Sequence, residues 1–295
     1  HCVHALKVLG CDIRLFCPRE DATLLERALM THLGLPVVWF DRFADRELDQ
    51  ALEHFNPDCV LSVIFNHRIP GCVLQYARLG GLNVHPAPLP GFRTASPWFW
   101  PIRQGLDQSE ICIHHMSQTL DAGPVVLRQP MELSPHETQG TYTRRINDAA
   151  PLLMERLHRL LQAPPLPLGE AQSKGRRFPP VQMAELEIDF RRPVAEIEAL
   201  VRACNPFHTA RTSFRGRTLG IHQVDSVPGP AGEPGAVASA GDELLINAAD
   251  GRVRLSIVDV PDEGVVTGGR FAGLYQVREG EIMGHREASG TERQP

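Results

Sequence analysis

CVLSVIFNHRIPGCVLQYARLGGLNVH, residues 59–85, is the stretch that decides the fold. Its opening, CVLSVIF at 59–65, is apolar almost without a break, the pattern of a strand buried on both faces of a parallel sheet. Its end, GGLNVH at 80–85, is a second apolar approach that stops on two polar residues, Asn83 and His85. The period-2 alternation of a strand turns both side chains to one face. In open α/β sheets ligands bind beyond the carboxyl ends of the strands. Asn can donate to a developing oxyanion, and His exchanges protons near neutral pH. A pair that merely hydrogen-bonds a neighbouring loop would have the same spacing.

Upstream, DIRLFC at 12–17 and PVVWF at 36–40 read as strands. Helical spacing is expected over 1–10, 21–33 and 44–55, the second with Leu24, Leu25, Ala28 and Leu29 on one face. Strand and helix alternate at the interval of a doubly wound, Rossmann-like α/β domain with a parallel sheet. Such a domain ordinarily opens with a strand, so a chain that opens on a helix at His1 is expected to start partway into a natural sequence.

Downstream, a Pro-rich loop, APLPGFRTASP, precedes a helix near 98–105. A strand follows at 111–116, then the turn SQTLDAG, the apolar run VVLRQPMEL and a helix over 138–162. Residues 163–182 are rich in Pro and Gly and read as a linker, with the basic run Lys174–Arg177 solvated. Residues 1–162 thus form the catalytic domain and 183–285 a second domain, leaving a polar tail at 286–295. The second domain has one helix near Pro193, with Ile197, Leu200, Val201 and Cys204 on a stripe. Short strands follow at TARTSF, LGIHQVD, GAVASA, ELLINAA and RVRLSIVDV, the pattern of a partly open, OB-like β-barrel.

The net charge of -5 and pI near 6.2 describe a surface without a general affinity for nucleic acid. Seven cysteines with no C-x-x-C pair read as reduced thiols of a cytoplasmic protein. No apolar run approaches the roughly 20 residues of a membrane span. His114 and His115 are adjacent on a strand and point to opposite faces, so they do not share one metal ion.

The turn LDAG carries the third polar candidate, Asp121. A carboxylate there could orient an imidazole and raise its pKa, although Asp also suits a turn for its backbone bonding. NVHPAPLPGFR followed by LDAG, with Asp121 placed 36 residues after His85, resembles the folate-dependent formyltransferase family. FNHRIPGCVL is similar to that family's stretch before the active strand, and IDFRRPVAEIEALVRACNPF to the start of its C-terminal domain.

The resemblance implies a formyl donor, 10-formyltetrahydrofolate, and no metal. It implies Asn83 as oxyanion stabiliser, His85 in proton transfer and Asp121 orienting His85. It further implies folate contacts at Phe65, His67, Arg68, Ile69, Ser117, Gln118, Thr119 and Leu120, and acceptor contacts at Pro88, Arg93 and Trp98. The chain departs from the pattern where Pro86 and Ala87 follow His85, where Thr94 follows Arg93, and in the bulky Trp98, Phe99 and Trp100. The family's tRNA-directed members carry a basic insertion after the second strand, whereas DIRLFC here runs through PREDAT into the next helix. The expected acceptor is therefore a small amine: an amino-sugar nucleotide, hydroxyornithine or a carrier-bound amino acid. Methionyl-tRNA is the alternative, and a non-catalytic folate-binding module a further one. Oligomeric state is open.

Overall fold

The computed structural model describes residues 1–20, 23, 32–43, 45–65 and 67–284. The chain divides into two compact units. The first comprises residues 1–97, 108–131 and 143–178; the second comprises 98–107, 132–142 and the chain from 179 onward.

The first unit begins with helix α1 (Cys2–Val8) and strands β1 (Leu15–Pro18) and β2 (Val37–Phe40), which pair in parallel. The helix expected over 21–33 lies largely outside the described residues. Helix α2 (Arg46–Phe55) carries Leu48 and Leu52 one turn apart on the same face. They close a core with Phe40 and Val73, against which Phe16, Phe43, Ile69 and Tyr76 pack. Each buried leucine stabilises by about 1.5–3 kcal/mol.

Strand β3 (Val60–Val63), the short helix α3 (Gly71–Leu74) and strand β4 (Gly81–His85) follow. β3 and β4 pair in parallel, as the apolar run predicts. Strand β5 (Gln108–His115) then enters antiparallel to β4, and β6 (Val125–Glu132) completes the order β3-β4-β5-β6, so this sheet is mixed rather than parallel throughout. The β1–β2 pair is a separate sheet, and a cavity of about 480 Å³ is lined by both β1 and β3. The expected helix near 98–105 is one turn, α4 (Trp100–Arg103). The long helix α5 (Gln139–Leu161) contains Pro151 and leaves Leu152 exposed.

In the second unit helix α6 (Val194–Cys204) begins after Pro193 and buries Ile197, Leu200, Val201 and Cys204, as the stripe predicts. Strands β7 (Ala210–Phe214), β8 (Arg217–Val227), β9 (Val237–Ala240), β10 (Leu244–Asn247) and β11 (Arg252–Val260) occupy the five expected positions. They pair antiparallel in the order β7-β8-β11-β10-β9. Ile282 bridges to Ala236 and Met283 to Phe214, so one short segment joins the two outer edges, as in a closing barrel. Strand β12 (Gly264–Thr267) and helix α7 (Gly268–Tyr275) were not expected; Thr267 caps that helix by accepting from the Arg270 amide. Among the described residues no helix is long and apolar enough to cross a membrane.

Candidate active site

Asn83 and His85 lie on β4, and the antiparallel register sets Asn83 opposite His114 and His85 opposite Cys112 on β5. The two strands therefore turn Asn83 and His114 to the same face. Asn83 Nδ2 lies 3.1 Å from His114 Nε2, while His114 Nδ1 lies 2.8 Å from the His115 carbonyl. A carbonyl only accepts, so His114 Nδ1 carries the proton and Nε2 accepts from the Asn83 amide. This fixes which way the Asn83 amide faces and leaves its second N–H free of His114. His115 points elsewhere, its Nε2 lying 2.8 Å from the Pro167 carbonyl.

Asp121 arrives from the turn between β5 and β6. Its φ of 57° is left-handed, a conformation Asp tolerates better than most residues. Two residues on, a Cβ at Gly123 would sit 1.8 Å from the His115 carbonyl oxygen, so no side chain fits there. These two facts account for the D-x-G spacing. The Asp121 carboxylate lies 3.6 Å from His85 Nδ1 and 3.7 Å from His114 Nε2. It also accepts from the backbone of Thr94. Burial acts to raise its pKa, but the neighbouring His114 and His85 imidazoles and the Thr94 amide outweigh that and hold it below the usual carboxylate range.

His85 is 3% exposed. Its Nε2 donates to the Phe92 carbonyl at 2.7 Å, leaving Nδ1 as the lone-pair nitrogen beside Asp121. Burial pushes its pKa down, while Asp121 and the Phe92 carbonyl oppose that push. The ring is thus held neutral, with an acceptor at each nitrogen ready to stabilise the imidazolium once Nδ1 takes a proton. Burial also lifts the thiols of Cys59 and Cys112 to about 11 and that of Cys204 to about 12, which removes them as nucleophiles near neutral pH. The cysteines are all free.

A cavity of about 80 Å³ opens beside this cluster, walled by Ser62, Asn83, His114, Met116 and Asp121. Of the residues expected to contact folate, Phe65, His67, Arg68, Ile69, Ser117, Thr119 and Leu120 also line it; Gln118 does not. Pro88, Arg93 and Trp98, the residues expected at the acceptor, do not line this cavity. Pro88 accepts from the Phe92 amide. Arg93 donates to Gln172 and to the Ser173 carbonyl. Trp98 belongs to the second unit, where its indole N–H faces the Gln139 side chain. His114 was missed as a site residue. Strand parity placed it opposite His115, and only the β4/β5 register places it beside Asn83.

Two family models match the chain: formyl transferase over residues 12–157 and formyl transferase, C-terminal domain, over residues 180–274. The chain belongs to the formyltransferase family. It is 27% identical over 259 residues to the methionyl-tRNA formyltransferase of Lachnospira eligens, covering 85% of this chain and 82% of that one. It is 29% identical over 265 residues to that of Acidithiobacillus ferrooxidans, with 85% and 81% covered.

Among solved structures it is similar in fold to an N-formyltransferase from Helicobacter canadensis in complex with folinic acid and dTDP-3-aminofucose. The TM-score is 0.65 at 14% identity, covering 86% of this chain and 94% of that one. HypX from Aquifex aeolicus in complex with tetrahydrofolic acid gives a TM-score of 0.61 at 18% identity over 93% of this chain and 51% of that one. The relatives thus include enzymes named for tRNA, and the sequence-based expectation against a tRNA acceptor gains no support from them.

Proposed function

We propose that the protein transfers the formyl group of 10-formyltetrahydrofolate to the nitrogen of a small amine, with Asn83, His85 and Asp121 as the working residues. The carrying observation is the cluster of His85, Asp121, His114 and Asn83, in which Asp121, His114 and Asn83 line a cavity and His85 lies buried behind Asp121. The cavity lining combines apolar Phe65, Ile69, Met116 and Leu120 with polar and charged side chains that include His67, Arg68, Asn83 and Asp121. That suits a flat heterocycle whose reactive group meets Asn83 and Asp121. The folate, when bound, supplies a formyl carbon on a nitrogen able to leave. The free N–H of Asn83 is positioned to stabilise an oxyanion on that carbon, a contribution of about 3–4 kcal/mol. His85 Nδ1 takes the proton the attacking amine must lose and returns one to the departing nitrogen. Asp121 stays ionised and stabilises the imidazolium in between.

A small acceptor is supported by charge. Residues 183–284 hold ten arginines, no lysine and fifteen acidic residues. A nucleic-acid partner would favour the opposite balance. The second reading, methionyl-tRNA, is favoured by relatives so named over four-fifths of their length.

The test is mass spectrometry of the full chain incubated with 10-formyltetrahydrofolate and four acceptors: an amino-sugar nucleotide, hydroxyornithine, a carrier-bound amino acid and charged initiator tRNA. A gain of one formyl group on a small amine supports the proposal, and formylation of the tRNA alone replaces it with the second reading. Folate binding with every acceptor untouched leaves a binding module and ends the enzymatic reading.

A further inference from the structure

The segment expected to be a solvated linker lies against the first unit through a series of bonds. Glu170 exchanges both backbone hydrogen bonds with Val125, each 2.8 Å. The Arg93 amide donates to the Arg176 carbonyl at 3.1 Å, and the Phe178 amide to the Arg93 carbonyl at 2.9 Å. The Phe178 ring stacks on Phe92 at 5.0 Å with the planes 10° apart, and the Arg176 guanidinium lies over the Phe178 ring, 4.3 Å from its centroid. A Cβ at Gly175 would come within 2.0 Å of the Pro90 carbonyl oxygen, so the two backbones touch.

Between these anchors stands Gln172. Its Nε2 donates to the Asp121 carbonyl at 2.9 Å and to the Gly123 carbonyl at 2.7 Å. Its Oε1 accepts from Arg93 Nη2 at 2.9 Å and from Nε at 3.2 Å. The amide is therefore used at both ends.

Two groups hold the His85 ring, and the segment holds both. The Phe92 carbonyl, at Nε2, sits in the stretch bonded to 176–178. The Asp121 carboxylate, at Nδ1, sits in the turn clasped by Gln172.

We propose that Gln172 is a positioning residue for the transfer reaction, tying the Pro-rich loop at Arg93 to the Asp121 turn so that His85 keeps both its partners. It touches no reacting atom. It fixes the left-handed turn whose carbonyls would otherwise need water, and the same amide orients the arginine on the opposing loop. The inference rests on the role given to His85 above. The titratable groups facing that ring are Asp121 and His114, with Cys112 opposite it in register.

The experiment follows the imidazole resonance of His85 by NMR titration in the full chain, a readout independent of any acceptor. Gln172→Met keeps the length and removes donor and acceptor. Its His85 midpoint is expected to fall below that of the wild type as the carboxylate drifts away. Where an acceptor is formylated, kcat should drop about tenfold with the folate KM within twofold. Lys174→Ala, on the exposed side of the same segment, should leave both unchanged. An unshifted midpoint in Gln172→Met overturns the proposal, as does an equal shift in Lys174→Ala. Should Gln172→Met not fold, amide exchange of Glu170 and Phe178 in the wild type decides: protection supports docking, and exchange at the rate of open chain overturns it. A wild type that formylates nothing but gives the expected shift sinks the reaction alone.

Discussion

At the scale of single residues, Gly123 is the sharpest constraint. A methyl group there would overlap the His115 carbonyl, so Gly123→Ala must push the turn off β5 and carry Asp121 with it. The expected outcome is a loss of activity of tenfold or more, with destabilisation on the order of 2–3 kcal/mol by denaturant titration. Titration of His85 gives a second test. Burial depresses its folded-state value below the unfolded value near 6.5. On acidification the unfolded chain takes up that proton first, so stability falls from about pH 6.5 downward. The drop in Tm between pH 7 and 5 should be smaller in His85→Asn. The acid limb of the rate profile should lie below 6.5 in the wild type, and lower still in Asp121→Asn, which loses the carboxylate that raises it. Asn83, His85 and Asp121 were candidates in the sequence because strand alternation and one turn motif single them out locally, while their joint role came from the family resemblance. His114 and Gln172 were not. Their partners are 31 and 51 residues away, and only strand register and the course of a loop bring them together.

At the scale of elements, long helices and central strands follow their apolar periodicity, and the exceptions have physical causes. Helix α4 is shorter than its apolar run because Pro101 and the turn at Gly105 confine it to one turn. Strand β12 was invisible because Val265 and the exposed residues around it make no buried face. The Pro and Gly content of residues 163–182 predicts a linker. Composition reports the absence of regular periodicity, and a strand held by isolated bridges has none. Helix α5 carries an exposed Pro151 in its interior, which removes a backbone donor and costs about 3 kcal/mol in a regular helix. Pro151→Ala should raise Tm by several degrees in a thermal melt, without altering turnover.

At the scale of the molecule, charge bears on the choice of acceptor. With acids outnumbering arginines in residues 183–284, any binding of bulk tRNA is expected to change little with salt. A log–log plot of affinity against salt with a slope steeper than about -3 would show several phosphates neutralised, and would favour the tRNA reading.

The docked segment also makes the chain a proteolytic reporter. The sequence contains only two lysines, Lys7 near the start and Lys174, exposed between Gln172 and Gly175. A lysine-specific endopeptidase therefore has two bonds to cut; the one at Lys7 trims seven residues, and the one that splits the chain into large fragments is followed by Gly175, the glycine packed against Pro90. Cleavage requires the segment to lift away first, so its rate under native conditions measures the opening equilibrium of the strap. A ligand that binds only the assembled site should slow the cut in proportion to its occupancy. Acceptor candidates can thus be ranked by gel before any product is known.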